Sequence, residues 1–591
     1  MKIVDSSLLE LNSDPYTLLN GMFSTQLPPL LNNLITEHSS KELIKELRAN
    51  PKETLFDIDQ STKLIKKLAP GIKSPEYIYG NNWAAESIKF FTVKIDDSWR
   101  PMAIPNIKHS LMFTYNSLII ANSTLSKLYS TDERLNGKTS HSESPIIGRD
   151  GLFSSMLYED DIVEEDIAVG FIGYDGTNKF FKESKLQRFK IESTYPYVLQ
   201  MDLSKFFENI YTHLLSQISI TDSESSEKFK NYLLWLDEYN QKINDDHTKG
   251  IIQGPISSKI SAELFQLSLD KKILRLIDKL NLDINFTRYV DDYRFFSKRN
   301  SDLELIKHHL IKLFRQYELS FNDSKFQIYK GFEIQKQAHL DRYPAIKTLT
   351  KGHISQFLFE DYTALRETII NLLAESDIPT AKAILSMVKN QVKNKNIKFK
   401  DNKLLISLML FLIKLTYVKP VLSMHIYKVI SATVSTAIPA VRHKIWSTLF
   451  AELDYIEDNF SDTDLEVWYF YALAKAGTSK EISKIFSAYK KKKKQTDLSV
   501  LVLTVLLKQH SRQTNKRIET EITSIANSSS NPDQYWERIS QSKWWLPISK
   551  LWIVNERSVS NNISKLFISN HGNKIQWDKL GIIEFLLRNN N

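Results

Sequence analysis

Between residues 86 and 345 the apolar positions fall in short runs: FFTVKI (90–95), YPYVLQMDL (195–203), FTRYVDDYRFF (286–296) and FQIYKGFEI (326–334). Aromatic and β-branched runs of this length predict strands. Longer stretches of helical spacing lie between them, such as ISSKISAELFQLSLDKKILRLIDKL (256–280). Strands mixed with helices predict an α+β or α/β domain. Upstream, LLNNLITEHSSKELIKELRAN (30–50) has helical periodicity, and Pro15, Pro28, Pro29, Pro51 and Pro70 cut residues 1–85 into short pieces. After residue 346 the strand signal largely vanishes. Leu358, Tyr362, Leu365, Ile369 and Leu372 share one helical face. Thr463-Asp464-Leu465-Glu466 has capping-box form and Gly477 suits a helix C′ position, so a helix is expected between them. No clean repeat period is visible, and the expectation is an irregular helical-repeat or bundle domain. The chain thus divides as 1–85, 86–345 and 346–591.

The 591 residues predict about two to four domains, and a 42% hydrophobic fraction can build real cores. The absence of cysteine excludes disulfides and thiolate metal sites and fits a reducing cytoplasm. The start has acids within its first apolar stretch, unlike a signal peptide. The most apolar run, LLISLMLFLIKLTYV (404–418), is short for a membrane span and contains Ser407 and Lys414. A buried helix and no membrane association are expected. A formal charge of +9 is compatible with nucleic-acid binding. The lysine run 490–494 reads either as a solvated face or as a phosphate contact.

Against this background YVDDYRFF (289–296) is unusual, with Asp291 and Asp292 inside an apolar strand run. Turn chemistry alone could place them at a hairpin tip. Their company argues for more. In YVLQMDLSKFF, Asp202 ends another apolar strand. Three carboxylates on neighbouring strands repel unless cations compensate them. Two Mg²⁺ ions about 3.5–4 Å apart are the recurring solution for activating a 3′-hydroxyl and steadying a leaving pyrophosphate. Oxygen donors suit Mg²⁺ or Mn²⁺. Phe207, five residues on, would clash with a 2′-hydroxyl if it lay beneath a nucleotide sugar; it reads equally as core. Gln253-Gly254-Pro255 is a turn before a helix with small residues at Ser257, Ser258, Ser261 and Ala262, which let a nucleotide or template approach. Lys94 and Arg100 sit where a hairpin could bind a triphosphate, and Lys325 where it could neutralise pyrophosphate.

The ordered set WRPMAIP, MDLSKFF, GIIQGPISS, YVDDYRFF and LSFNDSKF resembles the fingers and palm motifs of reverse transcriptases over residues 86–335. The resemblance implies a right-hand α+β polymerase in which Asp202, Asp291, Asp292 and the Leu203 carbonyl bind two Mg²⁺. It makes Lys94 and Arg100 triphosphate ligands, Phe207 the steric gate, Gln253 and Gly254 the nucleotide and template turn, and Lys325 the palm lysine. Its departures are Ile252, where a proline is usual, and the long segment 106–200 between the first two motifs. A helical region in place of a thumb is similar to the bacterial abortive-infection reverse transcriptases of the AbiK and AbiA type. That likeness implies dNTP polymerisation in antiphage defence, in homo-oligomers, by untemplated and protein-primed synthesis. Other defence or retron-like enzymes copy a partner non-coding RNA, and a catalytically inactive nucleic-acid scaffold is the further alternative.

Overall fold

The computed structural model describes residues 15–24, 26–31, 34–49, 85–95, 97–120, 140–142, 147–148, 151–152, 189–218, 227–322, 326–331, 354–399, 402–492, 497–527, 539–567 and 580–590. Helices α1 (Pro15–Asn20) and α2 (Glu37–Ala49) precede a hairpin of β1 (Ile88–Val93) and β2 (Trp99–Ile104), followed by α3 (Ile107–Ile120). This hairpin is a two-stranded sheet of its own, in register from Ile88↔Ile104 to Val93↔Trp99. Apolar side chains alternate along β1, with Ile88, Phe90 and Thr92 buried and Lys89 and Phe91 exposed. That is the period of a strand covered on one face.

The central sheet contains β3 (Ser140–Ser142), β4 (Tyr197–Ser204), β5 (Ile284–Tyr289), β6 (Asp292–Ser297), β7 (Ser320–Phe321) and β8 (Gln327–Lys330). Its order is β8-β4-β6-β5-β3, and β7 also pairs with β4. All these pairings are antiparallel except β3 with β5. The strand runs expected from the sequence contain strands, and FTRYVDDYRFF forms the β5–β6 hairpin; residues 332–334 of the last run lie outside the described residues. Helix α4 (Glu227–Lys242) packs near α3, while α5 (Ile256–Lys279) and α6 (Asn300–Arg315) support the sheet. Leu303, Ile306, Leu310 and Phe314 of α6 are buried, and Phe314 meets Tyr293 edge-on at 5.6 Å.

Beyond the sheet, helices stack in two layers. One layer contains α7 (Phe359–Ala374), α9 (Asn402–Val418), α11 (Pro439–Ala451), α13 (Ser479–Lys492) and α15 (Arg512–Asn527). The other contains α8 (Ile378–Lys393), α10 (Ser423–Thr436), α12 (Asp464–Ala476), α14 (Asp497–Leu506) and α16 (Trp545–Val554). In the second layer each helix packs on the next, from α8 to α16. Helix α14 is buried at every residue from Leu498 to Leu506, as expected of a helix apolar all round. The last helix, α17 (Gly581–Arg588), returns to pack on α2. The stack is thus an irregular helical repeat, with helices of unequal length obscuring its period in the sequence. No described helix is long and apolar enough to cross a membrane, and the 404–418 run lies within α9.

Helix α12 begins and ends where the sequence places it, but not by the expected caps. Thr463 donates its hydroxyl to the Phe460 carbonyl, and Glu466 accepts the Asp462 amide rather than that of Thr463. Gly477 has extended backbone (φ −79°, ψ 147°), so left-handed freedom is not its role. A Cβ there would lie 3.1 Å from the Trp446 indole nitrogen, so close packing is what requires glycine. Of the lysine run, Lys490 pairs with Glu521 on the neighbouring helix, while Lys493 and Lys494 lie outside the described residues.

Candidate active site

The antiparallel register of β4 and β6 places Asp202 directly opposite Asp292. Cα atoms so paired are roughly 4.5–5.5 Å apart, and like charges there repel. Asp291 is in the two-residue turn that joins β5 to β6, beyond the last pair Tyr289↔Asp292. Its carbonyl accepts the Leu203 amide at 3.1 Å, which ties the turn to the end of β4. The Asp202 carbonyl accepts the Asn322 amide at 2.9 Å. Asp202 and the adjacent pair Asp291 and Asp292, from two distant parts of the sequence, thus meet at one sheet end.

Their electrostatics follow from this crowding. Burial and then the neighbouring Asp202 push the Asp291 carboxyl up to about 6; Asp292 adds to the rise and Arg100 opposes it. Asp292 Oδ2 lies 3.6 Å from the Arg294 guanidinium. Among the described residues no three acidic or histidine side chains form a ready-made metal cage. The donor set is nevertheless hard oxygen throughout, which is the chemistry Mg²⁺ or Mn²⁺ takes.

The turn itself is strained. Val290 has φ +52°, a left-handed conformation that a β-branched residue avoids at roughly 1–2 kcal/mol. A positive φ at the first turn residue alone matches a type II′ hairpin turn, where glycine is usual. Polar groups on α5 hold it. The Val290 carbonyl accepts from Gln266 Nε2 at 3.1 Å, and Gln266 Oε1 accepts from the Tyr293 hydroxyl at 2.6 Å. Beside them Arg288, fully buried, binds Glu263 at 2.7 Å and Asp270 at 2.9 Å. Glu263, Gln266 and Asp270 lie one turn apart on the same face of α5. Sequence reasoning missed this set. Its signal was three polar residues at helical spacing inside ISAELFQLSLD.

The other expected residues are placed as follows. Gly254 has φ +118°, and a Cβ there would approach the Ala103 carbonyl to 3.2 Å and Met102 to 3.3 Å. The Gln253 carbonyl accepts the Ala103 amide at 2.9 Å. The Gln253-Gly254 turn is therefore fastened to β2 of the hairpin, as close backbone contact requires. Phe207 is half-buried, meets Phe206 edge-on at 5.5 Å, and its carbonyl accepts the Ile251 amide at 2.8 Å. Arg100 on β2 is exposed and electrostatically coupled to Asp291. Lys94 is half-buried at the hairpin bend, its amide bonded to the Ser98 carbonyl at 2.8 Å. Lys325 lies outside the described residues.

Residues 164–349 match the family described as reverse transcriptase (RNA-dependent DNA polymerase). Over this stretch the chain is similar to a reverse transcriptase domain. The matched stretch contains all three aspartates, Phe207 and the Gln253-Gly254 turn, whereas the hairpin bearing Lys94 and Arg100 lies upstream of it. The fold is accordingly that of reverse-transcriptase fingers and palm followed by a mainly helical stack, to which one short parallel pair of strands, Ile354–Phe357 with Ile397–Phe399, is added. No curated protein matches the chain in sequence. Among solved structures, apo telomerase from Candida tropicalis is 10% identical, with TM-score 0.30, covering 70% of this chain and 72% of that one. Telomerase from Candida albicans with a TWJ fragment of telomeric RNA is 13% identical, with TM-score 0.25, covering 66% and 69%.

Proposed function

We propose that the protein is a DNA polymerase of the reverse-transcriptase type that adds deoxynucleotides by a two-metal reaction. The observation that carries this is the convergence of Asp202, Asp291 and Asp292 at one sheet end, with Asp291 raised by burial and by its neighbours. Asp202, Asp291, Asp292 and the Leu203 carbonyl would hold the ions, which activate the 3′-hydroxyl and offset charge on the leaving pyrophosphate. Lys94 and Arg100 bind the triphosphate, and Lys325 neutralises the departing pyrophosphate. Phe207 bars the 2′-hydroxyl, and Gln253-Gly254 lines the base and template. Each of these roles is what the resemblance of these motifs to those of reverse transcriptases implies.

The setting we infer is cytoplasmic antiphage defence by a homo-oligomer, supported by the helical region that stands where a thumb would be. The division into a fingers–palm unit at 86–345 and a helical unit at 346–591 belongs to the same reading. Purified protein should incorporate deoxynucleotides with Mg²⁺, either alone or with RNA that co-purifies, and Asp291→Asn should not. Equal signals from wild type and variant, or none from either, would defeat the polymerase assignment. Sequencing the product separates the modes, since a defined complement marks templated synthesis and random DNA bound to protein marks untemplated priming. Phage challenge of cells expressing wild type or Asp291→Asn tests the defence role, and equal plaquing removes it.

A further inference from the structure

The Gln253-Gly254 turn is gripped from two sides. On one side the Ala103 amide of β2 donates to the Gln253 carbonyl at 2.9 Å, and a Cβ at Gly254 would lie 3.2 Å from the Ala103 carbonyl. On the other side stand Gly21 and Ser24 of the N-terminal segment. The Gly21 carbonyl accepts the Ile256 amide at 2.7 Å, and the same Cβ at Gly254 would lie 3.5 Å from Ser24. A turn bonded through its own backbone moves only with the segments that hold it.

Each holding segment is fastened to the helical stack. Trp468, buried on α12, donates its indole N–H to the Gln26 carbonyl at 2.6 Å, and the Gln26 amide donates to Ser24 Oγ at 3.2 Å. The β1–β2 hairpin is held along its edge and at its root. Alternate β1 amides face away from β2. Of these, Lys89 donates to Asp497 Oδ2 at 2.9 Å and Phe91 to the Asp462 carbonyl at 3.1 Å, so the helical stack closes the β1 edge. Thr463 runs parallel to Phe91 as a one-residue bridge. At the root, Glu86 precedes β1, Asn106 and Lys108 follow β2, and all three grip residues 540–543. The Glu86 amide donates to the Gln541 carbonyl at 2.6 Å, and its carboxylate accepts the Lys543 amide at 3.0 Å. The Asn106 side chain donates to the Ser540 carbonyl at 2.9 Å and Lys108 Nζ to Ser540 Oγ at 3.0 Å, with all three residues buried. Lys543 Nζ reaches Asp497 Oδ1 at 2.8 Å, which joins root to edge. A hairpin engaged in this way pivots only by breaking those bonds.

We propose that the helical stack positions the Gln253-Gly254 turn for nucleoside triphosphate binding through these two straps, with Trp468 and Asp497 as positioning residues. Neither of the two touches substrate. The turn lines the nucleotide by the polymerase reading above, on which this proposal rests. A displacement of about 1 Å costs up to about 100-fold even when the altered residue is far from the chemistry. Loss of one strap leaves the other in place, so the expected cost is smaller and falls on nucleotide affinity.

The test uses the full chain and a fluorescently labelled deoxynucleoside triphosphate with Mg²⁺, read by anisotropy, together with KM, kcat and melting temperature. Trp468→Phe removes the indole donor to Gln26 and keeps a ring in the core. Asp497→Ala removes the acceptor of the Lys89 amide. Each should weaken nucleotide binding and raise KM about ten-fold, with little change in kcat. Asp497→Asn keeps an acceptor for that amide and should bind nucleotide as wild type does. Two variants on separate straps keep the test decisive where one fails to fold. Wild-type nucleotide binding by either folded variant, whatever its melting temperature, removes that strap, and by both it overturns the proposal. Equal weakening by Asp497→Asn and Asp497→Ala also removes the positioning role of Asp497, since the amide bond would then not be what matters. If wild type neither binds nor incorporates the deoxynucleotide, the polymerase reading fails and takes this one with it. If wild type does both and the variants match it, only this one fails.

Discussion

Burial and Asp202 together lift the Asp291 carboxyl to about 6, from 3.8 for an unperturbed aspartate. The folded chain therefore holds this proton more tightly than the unfolded chain. The resulting stability is fully present below about pH 4 and is lost as the pH rises through 6. At pH 7.5 without divalent cation, Asp291→Asn should melt at a higher temperature than wild type, and the gap should close in acid. Adding Mg²⁺ should raise the wild-type transition alone. Scanning fluorimetry across pH decides this, and a variant no more stable than wild type at pH 7.5 would refute it. Phe207 makes a separate prediction. Phe207→Ala should admit ribonucleotides more readily, and identical sugar discrimination in the two proteins would return Phe207 to the core alone.

The β5–β6 hairpin and α5 act together at the next scale. Val290 holds a conformation suited to glycine, and Gln266 binds its carbonyl from α5. Gln266→Leu removes a buried partner of that carbonyl, a loss of about 1–3 kcal/mol. Val290→Gly removes the strain. Gln266→Leu should therefore be destabilised in urea by about that amount, and Val290→Gly should recover part of it in the double variant. Strict additivity of the two substitutions would show that Gln266 does not support the turn. The sequence displays the hairpin plainly, because aromatic and β-branched residues flank the acids. It displays the α5 network only as three polar letters at helical spacing, because which strand they face depends on the packing.

At the scale of the whole molecule, one apolar core runs from Leu18 through the sheet to Leu586. The N-terminal segment is built into it. The Gly21 carbonyl accepts the first amide of α5, from Ile256, at 2.7 Å, and the Gln26 carbonyl accepts Trp468 Nε1 at 2.6 Å. A chain ending at residue 345 would expose the β1 edge and the apolar surface under α12 and α14. It should be insoluble or bind hydrophobic dyes strongly. A monodisperse fragment with a cooperative melt would show the two parts to be independent. The sequence alone determined the longer palm strands, the long helices and the three aspartates, since periodicity and residue chemistry are local properties. It also indicated a helical C-terminal part, though not the short parallel pair of strands Ile354–Phe357 and Ile397–Phe399. Only the tertiary structure decided that Asp202 stands opposite Asp292, that α5 supports the turn, and that the helical stack closes the β1 edge. Those depend on register and on backbone amides. Every residue but proline carries such an amide, so no side-chain pattern announces which ones will meet.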